Sequence, residues 1–187
     1  MHDILLIGDS LTEWNFKNGW GNDIKKWYQT KCNMYNYGYA GWTSAQMKKE
    51  MPLIMKNHSF PMICTLLLGT NDCYFQGQYV SPNDFKQNII HIIDYIRSFN
   101  VYAVILLITP PICHLDKKIK PYVFKTREIA LEKALALIDL HNPGPFQIGY
   151  NDLEDGMHFN ESGNKKLFEH IKSTILTKFD VISPGAL

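Results

Sequence analysis

The chain lacks any long hydrophobic run. Its longest apolar stretch, Val101 to Ile108, is less than half of the roughly 20 residues that a membrane-spanning helix needs, so no integral membrane segment is expected. It also lacks an excess of either charge. Nineteen basic residues against eighteen acidic ones give a formal charge of +1, which provides no field suited to nucleic acid or an anionic membrane. A small molecule is the expected partner, and nothing in the pattern gives an oligomeric state. The four cysteines, Cys32, Cys64, Cys73 and Cys113, show no Cys-x-x-Cys spacing, and the seven histidines include no His-x-x-x-His pair. Free thiols and no metal site are expected. A secretory leader is not evident either, because the first apolar run is four residues ending in a glycine turn; a cytoplasmic location is the expectation. No repeat, linker or low-complexity tract interrupts the chain. What is present is ordinary for a packed globule: 45% hydrophobic and 13% aromatic residues over 187 positions, read as one domain spanning 1–187.

Short apolar runs alternate with amphipathic segments, the signature of a β/α chain with a parallel sheet. Strands are expected at Ile4 to Ile7, Asn33 to Asn36, Met62 to Leu68, Val101 to Ile108 and Leu137 to Leu140. Helices are expected at Gly21 to Thr30, Ser44 to Met55, Pro82 to Ser98, about Pro121 to Ala134, and Ser162 to Lys178. The third is the clearest. Ser81 can cap it, Pro82 suits its first turn, and Phe85, Ile89, Ile92, Ile93 and Ile96 form one stripe. Two prolines in Thr109-Pro110-Pro111 end the fourth strand.

Ligands of open parallel sheets bind beyond the carboxyl ends of the strands. Four polar clusters fall there: Gly8-Asp9-Ser10, Asn36 to Trp42, Gly69 to Asp72, and Asp155 to His158. Each alone reads as turn chemistry. Together they hold every part of an acyl-transfer site. A serine hydroxyl needs a base, a group that orients the base, and donors for the oxyanion. His158 suits the base and Asp155 its orienter, with Ser10 as nucleophile. The backbone N–H groups of Ser10 and Gly41 and the Asn71 amide suit the oxyanion. Asp9 adjoins Ser10 but points elsewhere in an extended turn, so it is read as an anchor for nearby backbone.

These blocks resemble those of the SGNH hydrolases, the GDSL esterase and lipase family. "IGDSLTEW" is similar to the first block, "NYGYAGWTS" to the second, "LGTND" to the third and "DGMHFNESGNKKL" to the last, with coverage of nearly the whole chain. The spacing from Asn36 makes Gly41 the oxyanion residue and Gly38 a turn residue by this resemblance. Within the family the chain looks most like the isoamyl acetate-hydrolysing esterase branch. The resemblance implies a flavodoxin-like three-layer α/β/α sandwich with a central, mainly five-stranded parallel sheet. It also implies hydrolysis of small to medium, short-chain acyl esters without a cofactor.

Other readings keep the site and change the substrate: a thioesterase, a lysophospholipase or a deacetylase of acetylated sugars. A non-catalytic interaction module on the same fold is a reading of another class. An α/β-hydrolase elbow does not fit, since Thr12 replaces its second glycine and Asp155 and His158 are nearly adjacent. Glu13, Trp14 and Trp42 are candidates for the substrate pocket. His114 is read as a surface residue that could rim it, and His91 and His170 as ordinary helix residues.

Overall fold

Alternation along the first strand decides the architecture. In the computed structural model, which describes residues 2–74 and 78–187, Ile4 and Leu6 face one apolar cluster and Leu5 and Ile7 face another. A strand apolar on both sides must be covered on both sides. Helices α3 (Trp20–Tyr28) and α7 (Glu161–Lys178) cover the first face; α4 (Ser44–Met55), α5 (Pro82–Phe99) and α6 (Asp116–Glu132) cover the second. The result is the expected three-layer sandwich around five parallel strands, in the order β2-β1-β3-β4-β5. These are β1 (His2–Gly8), β2 (Cys32–Gly38), β3 (Pro61–Leu67), β4 (Val104–Ile108) and β5 (Ala136–Ile138). Between β1 and β3 the register shifts after Asp3, where Met62 is skipped, which lets Met62 and Ile63 both reach the α3/α7 face.

The chain runs from β1 outward to the edge strand β2, then crosses back past β1 to β3. This reversal is where a cleft forms. Gly8 pairs with both Gly38 and Leu67, so β1, β2 and β3 end level and their following loops emerge side by side.

Three expectations need correction. Strand β4 starts at Val104 instead of Val101, because the Asn100 carboxamide accepts the Tyr102 N–H at 2.9 Å and its carbonyl accepts the Ala103 N–H at 3.0 Å. This turn leaves Val101 and Tyr102 exposed. Helix α6 starts at Asp116, ahead of Pro121, which sits exposed where water can replace the missing hydrogen bond. Strand β5 stops at Ile138, because Asp139 turns to Arg127 and to the His141 N–H. The α5 stripe is buried as expected, Ser81 caps it by accepting the Asp84 N–H at 3.1 Å, and all four cysteines are buried with no disulfide between them. Among the described residues, no helix is long and apolar enough to cross a membrane.

Candidate active site

At Gly8 the strand must turn without a side chain, since a Cβ there would overlap Thr12 and the Leu67 carbonyl. The turn runs directly into two short helices, α1 (Ser10–Glu13) and α2 (Asn15–Asn18), which the sequence reading missed. Asp9 is the N-cap of α1: its carboxylate accepts the Leu11 N–H at 2.9 Å. This anchors backbone, as expected, although in a cap instead of an extended turn. Ser10 thereby becomes the first helical residue, 7% exposed, with its hydroxyl directed to the last block of the chain.

That block is a turn around Gly156, whose positive φ of 81° suits glycine. Asp155 closes it by accepting the N–H groups of Met157 at 2.9 Å and His158 at 2.8 Å with one oxygen. Its other oxygen lies 2.7 Å from His158 Nδ1. These bonds, chiefly the His158 N–H and then the imidazole, hold the Asp155 carboxyl well below the usual carboxylate range even though its side chain is 55% exposed. An ionised carboxylate only accepts, so Nδ1 carries the proton and Nε2 presents its lone pair to the Ser10 hydroxyl, 2.9 Å away. Ser10, His158 and Asp155 thus form one chain of hydrogen bonds with a defined tautomer.

The second and third blocks sit beside it. Tyr39 N–H donates to the Gly8 carbonyl at 3.0 Å, and Ala40 N–H donates to the Glu13 carboxylate at 2.6 Å. Gly41 follows with a positive φ of 78° and open space where a side chain would stand. Asn71, beyond β3, donates through its amide to the Trp42 carbonyl at 3.0 Å, which fixes the amide and leaves its second hydrogen for another acceptor. Below these loops Asp72 is buried and accepts from the Ser44 hydroxyl and N–H. Burial pushes its carboxyl up to about 6 against those bonds. Asp9 is pushed up to about 7, first by burial and then by Asp72, with the Leu11 N–H opposing.

Of the residues expected to line a pocket, Trp14 does so: its ring packs on His158 with centroids 4.1 Å apart, at the mouth of a cavity of about 1050 Å³. Glu13 is instead the brace under Ala40, and Trp42 stacks on Tyr39 at 4.2 Å. His114 is exposed, and its N–H donates to the Gly156 carbonyl at 2.9 Å, so it supports the Asp155–His158 turn from the β4 loop. Sequence reasoning missed Asn164. This residue accepts the Trp20 N–H at 3.0 Å and donates to the Phe159 carbonyl at 3.1 Å, tying α3 to the turn; its position inside the last block was the available signal. Among the described residues, no group of three or more His, Cys, Asp or Glu side chains could hold a metal ion.

The GDSL-like lipase/acylhydrolase family matches residues 6–166, which takes in the first three blocks and all but the last residue of the fourth. The chain belongs to that family. It is a carboxylic ester hydrolase of the GDSL type. Among its relatives in this family, the isoamyl acetate-hydrolyzing esterase of Schizosaccharomyces pombe is 29% identical over 202 residues, covering 98% of this chain and 79% of the relative. The bovine (Bos taurus) isoamyl acetate-hydrolyzing esterase 1 homolog is 26% identical, covering 90% of this chain and 79% of its own. The crystal structure of an acetyl xylan esterase superposes with a TM-score of 0.80 at 20% identity, covering 92% of this chain and 99% of that one. The aryl esterase of M. smegmatis gives 0.73 at 15% identity, covering 95% and 99%. Both structures share the fold of this chain.

Proposed function

We propose that this family member is a serine esterase that hydrolyses small to medium, short-chain acyl esters through an acyl-Ser10 intermediate. The observation that carries this reading is the unbroken chain Ser10 Oγ, His158 Nε2, His158 Nδ1, Asp155 Oδ2, with contacts of 2.9 and 2.7 Å. His158 takes the Ser10 proton as Oγ attacks the ester carbonyl, and the ionised Asp155 stabilises the imidazolium that forms. Negative charge on the carbonyl oxygen meets the backbone N–H groups of Ser10 and Gly41 and the free amide hydrogen of Asn71. His158 then gives its proton to the departing alcohol oxygen. Water, deprotonated by the same Nε2, attacks the acyl carbon and releases the acid and Ser10. The names of the 25–29% identical relatives support a short acyl group. Labelling with a fluorophosphonate probe tests the nucleophile: wild type should label and Ser10→Ala should not. An acyl series from acetyl to palmitoyl, with thioester counterparts, tests the substrate. Efficient palmitoyl or thioester turnover with poor acetyl-ester turnover would instead favour a lysophospholipase or thioesterase.

A further inference from the structure

The cavity of about 1050 Å³ begins at Trp14 and His158 and runs between α3 and α7. It reaches the upper end of the roughly 300–1,000 Å³ usual for small-molecule sites, far more than a short alcohol fills. Its composition is unusual for a site that receives alkyl groups. Trp14, Trp27 and Phe168 supply exposed or half-buried rings, with the last two meeting edge-on at 6.3 Å, and Phe159 lies buried behind them. Every other lining residue is an amide, a carboxylate, a lysine or His158 itself; no aliphatic side chain among the described residues lines it. Four carboxylates, Asp23, Glu154, Glu161 and Glu169, outnumber Lys26 and Lys165, so an anionic ligand such as a phosphate is disfavoured. Flat rings set among amide and carboxylate acceptors match a ligand that has apolar C–H faces and a rim of hydroxyls.

The chemistry of the proposed reaction says which half of the ester belongs here. His158 passes its proton to the oxygen of the departing alcohol, so that oxygen must lie within hydrogen-bond reach of Nε2, and His158 is itself one of the residues that line the cavity. The acyl carbonyl points to Gly41 and Asn71. Resting on the serine-esterase reading, we propose that this cavity binds the alcohol half of the substrate and that this half is an uncharged saccharide acylated on a hydroxyl. In the step, the bond from Ser10 Oγ to the acyl carbon forms and the ester C–O bond breaks. The Ser10 proton travels through His158 to the sugar oxygen, and water then completes hydrolysis.

Two measurements test this separately from the nucleophile. In the first, Ser10→Ala protein is titrated with an unacylated xylo- or cello-oligosaccharide while tryptophan fluorescence is followed. Saturable binding is expected, weakened about tenfold in Ser10→Ala/Trp27→Ala. In the second, wild type and Trp27→Ala are compared on an acetylated oligosaccharide and on 3-methylbutyl acetate. The saccharide ester should have the higher kcat/KM by at least tenfold, and Trp27→Ala should shrink that ratio about tenfold, mainly through KM. If Trp27→Ala does not fold, Glu154→Ala at the exposed rim replaces it, with a smaller shift of the same sign expected. Absence of saccharide binding, or preference for 3-methylbutyl acetate with a ratio unmoved by the variants, overturns the proposal while leaving acyl-Ser10 chemistry intact. Failure of Ser10 to label overturns the serine reading instead, and the titration still decides what the cavity binds.

Discussion

Two histidine–aspartate pairs in this molecule have nearly the same geometry and different prospects. His158 Nδ1 lies 2.7 Å from Asp155, and its other nitrogen meets the Ser10 hydroxyl at 2.9 Å. His58 Nδ1 lies 2.8 Å from Asp3, and its other nitrogen meets the Tyr37 hydroxyl at 2.6 Å. The second set has an acid, a base and a hydroxyl in the same order. What it lacks is access: His58 is 2% exposed and has Tyr35 against it edge-on, and Asn33 also donates to Asp3. Asp3 lies five residues before Gly8 on β1, about 17 Å from the strand end where Ser10, Gly41 and Asn71 meet. A hydrogen-bonded triplet is therefore not a reactive site by itself. In the proposed reaction, an opening for substrate and donors for the developing charge set the Ser10 triplet apart.

The sharpest break between the two sets is Ser10→Ala. It should lower kcat for an acetyl ester by about 10⁴-fold or more with Tm nearly unchanged, whereas residual turnover above one-tenth would remove Ser10 from the chemistry. Asp155→Asn should cost about 10³-fold, because a carboxamide in place of the carboxylate no longer dictates which ring nitrogen carries the proton; a steady-state assay from pH 5 to 9 checks it. Asn71→Ala should lower kcat about 100-fold with a smaller change in KM, the sign of an interaction made in the transition state. His58→Asn provides the converse. It should lower stability by about 2 kcal/mol in urea unfolding while kcat for the folded enzyme stays within twofold of wild type, since it breaks a buried network remote from Ser10. A tenfold loss of kcat there would mean that the two sets communicate.

The smallest effect concerns Asp9, a buried carboxylate with neither a histidine nor an exposed face. One of its oxygens, Oδ2, has no hydrogen-bond partner among the described residues. Its carboxyl is raised from 3.8 to about 7, so between those values the folded protein holds a proton that the unfolded chain releases. Stability then falls as pH rises from about 4 to 7 and levels off above. Asp9→Asn keeps the cap and removes the titration, so its stabilisation relative to wild type should be near zero at pH 4 and grow steadily as pH rises toward 8, read from thermal unfolding. A difference independent of pH would show that Asp9 stays ionised throughout.

Much of this was legible in the sequence because it rests on local rules. Doubly apolar strands, the Ser81 cap and the α5 stripe follow from periodicity and end signals, and the four polar blocks follow from their places after strands. Errors came where one side chain redirects the backbone: Asn100 ends what periodicity alone would extend into β4, and Asp9 converts a turn into α1. The cavity was not legible at all. Trp27 and Phe168 lie about 140 residues apart in sequence and meet only because α3 and α7 pack on one face, a relation that no local pattern encodes. Glu13 shows the same limit, since its role under Ala40 depends on β2 emerging beside β1.

At Gly38 a Cβ would overlap the backbone of Glu13 and Thr12, so the first two loops touch main chain to main chain. Their shapes are therefore inherited as a pair: no change in the length or backbone path of one can be absorbed without a matching change in the other. On the proposed placement of the alcohol half, adapting this scaffold to new esters is a task for the α3/α7 side, where long side chains line an open space and can be exchanged one at a time. The Gly8–Trp14 and Gly38–Trp42 segments are better left as a fixed cassette.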